Sequence, residues 1–184
     1  KYLLTRKKVK NSSFKQIAGI NNLYENLDCL PRAWFVSNIK NVDDQASSLS
    51  NVMDLSFRPK DTAVIIDYKG PELSGSADGS IDIKSLLPNN ISLFCNTNGG
   101  ALLVLSEIFY QPGWKCKIDG EITPIYQTNH VLRSVYVPDG NHNVEFYYDS
   151  SQWKIARIIS RVSFFSIFII LGIILFRENK IKLL

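Results

Sequence analysis

Residues 90–150 read NISLFCNTNGGALLVLSEIFYQPGWKCKIDGEITPIYQTNHVLRSVYVPDGNHNVEFYYDS, and the fold turns on how this stretch is parsed. Short apolar runs alternate with turn residues throughout, the pattern of an antiparallel β protein. Residues 91–96 and 101–107 flank Asn98-Gly99-Gly100, a hairpin turn whose glycines accept positive φ. Residues 101–105 are continuously apolar and short, as expected of a strand covered on both faces. Gln111-Pro112-Gly113 makes the next turn, and residues 114–118 and 122–126 then flank Asp119-Gly120, the strongest short hairpin signal in the chain. Residues 131–137 and 143–148 flank Pro138-Asp139-Gly140-Asn141. In the last run Val144, Phe146 and Tyr148 alternate with Asn143, Glu145 and Tyr147, so one face is core and the other is wet. Six strands at this spacing predict a mainly β fold, an antiparallel β-sandwich-like module over residues 90–152.

The last strand runs almost directly into residues 155–176, IARIISRVSFFSIFIILGIILF. At about 1.5 Å rise per residue this segment matches a hydrocarbon core of roughly 30 Å. Arg157 and Arg161 are its only charges, four apart near its beginning, where both can snorkel to head groups. Trp153 precedes it and Arg177 follows it, as interfacial residues do. A soluble core helix with Ile, Leu and Phe all the way round would need more protein to wrap it than this chain provides. The expectation is one transmembrane helix over 153–177 and a tail over 178–184. Basic residues on the two flanks balance, so charge alone leaves the orientation open.

Upstream of the β module the pattern is less regular. Residues 2–5, 32–39 and 62–68 read as strands. Asp43-Asp44 before residues 45–53 reads as a short helix whose acidic start satisfies free N–H groups and the dipole. The expectation is a small α+β N-terminal lobe over 1–70, with residues 71–89, rich in Gly, Ser and Pro, as a linker.

The chain has 184 residues, 45% hydrophobic and 21% charged, which excludes a disordered chain and a whole multi-span protein. It begins at Lys1 with no signal-peptide pattern, and it reads as a piece of something longer. The net charge of +4 gathers at the two ends, leaving no basic stripe for nucleic acid. Cys29, Cys95 and Cys116 are too far apart for a zinc motif. Cys116 shares a strand face with Trp114 and Ile118 and reads as a small buried hydrophobe, while the spacing leaves disulfide formation open.

The phrase LVLSEIFYQPGWK over residues 103–115, followed by Ile118-Asp119-Gly120, resembles the C-terminal region of the bacterial YfhO-type membrane protein family. Pro124-Ile125, Asn129, Val137-Pro138, Gly140, His142 and residues 144–148 follow in matching order; residues 1–5 and Leu30-Pro31-Arg32-Ala33 look similar upstream. The resemblance implies a polytopic parent similar to polyprenyl-phosphate-sugar-dependent glycosyltransferases that act on cell-envelope polymers. It implies further spans and the catalytic carboxylate upstream of Lys1. It also implies an extracytoplasmic β module with a cytoplasmic tail, in the cell membrane. This stretch would then be an accessory domain that helps position a glycan or polyprenyl-linked sugar. The alternative is a membrane-tethered glycan-binding or scaffolding module with no enzymatic parent.

No residue of this stretch is read as catalytic, and no cofactor or metal motif is present. His130 and His142 lack any nucleophile motif beside them, and His142 reads as a turn residue. The candidate ligand contacts are Glu107, Tyr110, Trp114 and Asp119, since aromatic faces with carboxylates can stack on and hydrogen-bond to sugars. Trp114 alternates with Cys116 and Ile118 as a core position does, and core is the stronger reading of it. Glu107 ends an apolar strand, where its charge reaches solvent or takes a partner such as Arg133.

Overall fold

In the computed structural model, residues 1–73 and 77–181 are described, with side chains described as far as Ile174. The Arg177 side chain, the side chains of the expected tail and residues 182–184 as a whole therefore lie outside the described residues. Fourteen strands and two helices are present among them. An N-terminal sheet in the order β1-β3-β2 joins β1 (Tyr2–Leu4), β2 (Phe14–Gln16) and β3 (Leu23–Asn26). The sandwich follows. Its six-stranded sheet runs β4-β9-β13-β12-β6-β5, from β4 (Ala33–Val36), β5 (Asn38–Val42), β6 (Thr62–Ile66), β9 (Ala101–Ile108), β12 (Tyr126–Thr128) and β13 (Leu132–Val137). The facing five-stranded sheet runs β11-β10-β14-β8-β7, from β7 (Gly79–Leu87), β8 (Asn90–Thr97), β10 (Trp114–Ile118), β11 (Glu121–Thr123) and β14 (Gly140–Tyr148).

The mainly β, antiparallel sandwich is the expected one, but one of the expected hairpin turns does a different job. Asn98-Gly99-Gly100 joins β8 to β9, which lie in opposite sheets, so it is an arch over the sandwich edge and not a hairpin. The β9–β10 and β13–β14 connections cross between the sheets in the same way. Asp119-Gly120 does make a two-residue hairpin. Both residues have positive φ (52° and 92°), and Ile118 faces Glu121 across it. The run expected over 122–126 is broken at Pro124, which cannot donate to a ladder, and there the chain leaves the five-stranded sheet for the six-stranded one.

The upstream division also differs. Strands β4, β5 and β6 belong to the same sheet as β9, β12 and β13, so the sheet runs through the boundary expected at residue 70. Residues 79–87, expected within a linker, form β7, a hairpin partner of β8. Its side chains are mostly exposed at the sheet edge, which is why its alternation is faint in sequence. Helix α1 (Gln45–Met53) crosses between the parallel strands β5 and β6, and Asp44 caps it by accepting from Ser47 N at 2.7 Å.

Two apolar clusters sit on the two faces of the six-stranded sheet. The inter-sheet core contains Phe35, Leu93, Leu103, Leu105, Val135, Val137, Val144 and Phe146. On the outer face Trp34, Val36, Ala63, Ile65, Leu102 and Val104 pack beneath Leu30, Tyr68 and Leu73. The continuously apolar 101–105 run is thus buried on both sides. Cys95 and Cys116 are buried free thiols in the inter-sheet core, and burial pushes Cys95 up to about 12. Cys29 is free and exposed.

Helix α2 (Ser151–Ile181) leaves directly from β14. Its first 24 residues, Ser151–Ile174, are long and apolar enough to cross a bilayer and are unburied along their length. At 1.5 Å per residue they span about 36 Å, enough for a hydrocarbon core of roughly 30 Å. The start of the helix is tied to the sandwich. Asp149 Oδ2 pairs with Lys115 Nζ at 2.6 Å, its Oδ1 accepts from Ser151 N at 3.0 Å, and Trp153 Nε1 donates to Tyr148 Oη at 3.2 Å. Trp153, Arg157 and Arg161 are all exposed on this first part of the helix.

Candidate functional site

Arg133 forms part of the wall of a largely apolar cavity in the sandwich. Along β13 it is in phase with Val135 and Val137, whose side chains fill the inter-sheet core. The ladder slips beside it: Leu132 faces Ile108 and Arg133 faces Leu105, leaving Ser106 and Glu107 of β9 unopposed. Such an irregularity re-aims side chains locally. Arg133 ends up only 3% exposed, beside a core of aliphatic, Phe and Cys side chains.

The guanidinium lies 4.0 Å from the centre of the Trp114 ring and 5.9 Å from that of Phe146. Two of its nitrogens, Nε and Nη1, are buried without a hydrogen-bond partner. Burial pushes its pKa down, opposed by the charge of Glu107. A cavity of about 260 Å³ opens over it, lined by Tyr110, Gln111, Trp114, Lys115, residues 122–125 and Arg133 among others. The lining carries two cationic side chains and no carboxylate. Lys115 is held by Asp149, so among the described residues Arg133 is the lining charge without an ion-pair partner.

The four candidate contacts do not converge. Tyr110 and Trp114 share the cavity, Tyr110 half exposed at 55% and Trp114 partly buried. Trp114 is edge-on to Tyr148, with ring centres 5.9 Å apart, and Arg133 lies over its ring. Glu107 is outside the lining, and its ion-pair partner is Arg32, Nη2 to Oε1 at 3.4 Å. The partner expected from sequence, Arg133, points into the core instead and reaches Glu107 only through its field.

Asp119 sits just past the other end of β10, about 16 Å along the chain from Trp114 at strand rise. Its Oδ1 accepts from Asn143 N at 2.8 Å and its Oδ2 is 2.6 Å from His142 Nδ1. These bonds hold the carboxyl of Asp119 below the ordinary carboxylate range and raise the imidazole of His142. The pair fastens the hairpin to β14. Among the described residues no three His, Cys, Asp or Glu side chains gather to hold a metal.

Arg133 enters the sequence reading only as a partner for Glu107, and its place in the cavity is what that reading lacks. Its signal was available: a lone cation in phase with Val135 and Val137 on a strand whose inward face those valines define.

The cavity is close to the helix that leaves the sandwich. It shares Gln111 and Lys115 with a neighbouring cleft of about 370 Å³ that reaches Asp149, Ser151 and Trp153 at the start of α2. Residues 75–160 match the family model described as bacterial membrane protein YfhO. The matched region covers β7 to β14, both rims of the cavity and the first turns of α2. No curated protein and no solved structure matches the chain.

Proposed function

We propose, starting from the YfhO-family region at residues 75–160, that this membrane protein domain is a substrate-handling module of a polytopic envelope glycosyltransferase. The observation that carries the reading is the Tyr110–Trp114–Arg133 cavity, which lies inside the family region and shares Gln111 and Lys115 with the cleft at the start of α2. A glycan held there stays within reach of the bilayer surface, where a lipid-linked sugar is presented. The module faces the extracytoplasmic side in this reading, and catalysis resides in other parts of the parent protein. Tyr110 supplies the open aromatic face for a sugar ring, and Trp114 holds the Arg133 guanidinium from behind.

The test is a glycan-array and polyprenyl-phosphate-sugar binding measurement on the chain, with Tyr110→Ala and Trp114→Ala as controls. Saturable binding that either substitution weakens supports the reading. Absence of binding to every glycan and lipid-linked sugar overturns it and leaves the module a structural cap.

A further inference from the structure

We infer that the Arg133 cavity is an oxyanion subsite, taking the phosphate or carboxylate group of a sugar-borne ligand. The inference rests on the glycan-handling reading above and narrows its ligand to an acidic sugar. Three observations carry it independently of family. The first is the unpartnered guanidinium: Arg133 is 97% buried (3% exposed), yet Nε and Nη1 have no hydrogen-bond partner. Buried polar groups in folded proteins are nearly always hydrogen-bonded, so a buried arginine with donors to spare asks for an acceptor. The second is the sign of the lining, which holds Arg133 and Lys115 and no Asp or Glu. The third is support from behind. The Trp114 ring lies 4.0 Å from the guanidinium, a cation–π contact that supports the charge while satisfying none of its N–H donors.

The occupant must also have a carbon skeleton. The cavity offers Tyr110, Ile122, Pro124 and Ile125 as apolar wall beside Arg133, with Lys115 already paired to Asp149, which suits one charged group on a ring better than a free inorganic ion. The same chemistry can come from a lipid head group, because the adjoining cleft reaches Trp153, and the test separates the two sources.

The experiment uses the full chain in lauryldimethylamine oxide micelles, which carry neither sugar nor phosphate. Arginine is labelled with ¹⁵N so that the Arg133 Nε–Hε resonance reports directly. The probes are glucose 1-phosphate, glucuronate, glucose, inorganic phosphate and dihexanoyl phosphatidylglycerol. The expected result is a saturable shift with glucose 1-phosphate or glucuronate, and a much smaller one with glucose. Arg133→Gln weakens the charged-sugar binding roughly 10- to 100-fold, the range carried by hydrogen bonds to a charged group. Arg133→Lys keeps the charge and part of the affinity. The wild-type resonance and Tyr110→Ala keep the test decisive where Arg133→Gln fails to fold.

Equal binding of glucose and its charged forms overturns the oxyanion subsite while leaving the glycan reading standing. Inorganic phosphate or the short lipid binding as well as the sugar anions supports the subsite and removes the glycan from it. An Arg133 resonance that no probe moves overturns the inference outright.

Discussion

Replacing Asn129 by Ala is expected to destabilise the sandwich by about 2–4 kcal/mol, and two separable effects make up that figure. The β12–β13 turn places Asn129 and His130 at φ 49° and 71°, the left-handed region that Asn tolerates and Ala does not, at a cost of about 1 kcal/mol. The side chain also closes a two-point clamp on β6. Asn129 Oδ1 accepts from Val64 N at 2.9 Å while Asn129 N donates to Val64 O at 2.8 Å. Val64 is fully buried, so losing the acceptor strands its N–H away from water, which costs about 1–3 kcal/mol. Urea unfolding followed by tryptophan fluorescence reads the sum. Asn129→Gly divides it, because glycine accepts the left-handed backbone yet leaves Val64 N unpaired, and it should fall about 1 kcal/mol short of the Ala effect. An Ala variant within about 0.5 kcal/mol of wild type, the range of an indifferent surface change, would refute the reasoning.

Three further outcomes follow from particular contacts. His142 is raised above its ordinary value of 6.5, chiefly by its bond to Asp119, so its stabilisation is full below pH 6.5 and is lost as pH rises through the folded value. Asp119 is lowered, so its share is present above its ordinary 3.8 and fades as pH falls through the folded value; stability should peak between the two, and His142→Gln should flatten the alkaline limb of a melting-temperature profile. Gly120→Ala meets open space and costs only the left-handed strain of about 1 kcal/mol, whereas Gly79→Ala drives its Cβ into the backbone oxygen of Asn96, which cannot swing aside, and should cost clearly more by chemical denaturation. Arg133→Met should be neutral or stabilising by about 1 kcal/mol or more in the same assay, because it replaces a buried cation lacking hydrogen-bond partners with an apolar side chain of similar length; marked destabilisation would mean that the guanidinium is a structural group first.

Local signals were legible and partners were not. Asp119-Gly120 gave its hairpin, Asp44 its cap and residues 101–105 their double burial, because turn chemistry, capping and hydrophobic runs act over a few residues. Asn98-Gly99-Gly100 carries the same turn chemistry, yet glycines fix φ and not the sheet to which the next strand belongs, so an arch and a hairpin look alike in sequence. Strand β7 was missed because an edge strand with mostly exposed side chains need not alternate strongly. At the site, Tyr110 and Trp114 do meet, being four residues apart around one connection. Asp119 and Glu107 were grouped with them by chemical type, and strand length and the Arg32 pair keep them apart. Arg133 lies across the sandwich from Trp114, a contact between sheets that no short-range pattern encodes.

The most direct test of the whole account is membrane partition. The full chain and residues 1–150 are mixed with liposomes, washed at alkaline pH and sedimented. Because Ser151–Ile174 is unburied, removing it uncovers no core. The account predicts that the full chain stays with the bilayer and that residues 1–150 are released as soluble protein with an unchanged β-type circular dichroism spectrum. A full chain washed free, or a truncated module that aggregates, would contradict it by showing that α2 is part of the folded core and not a membrane helix.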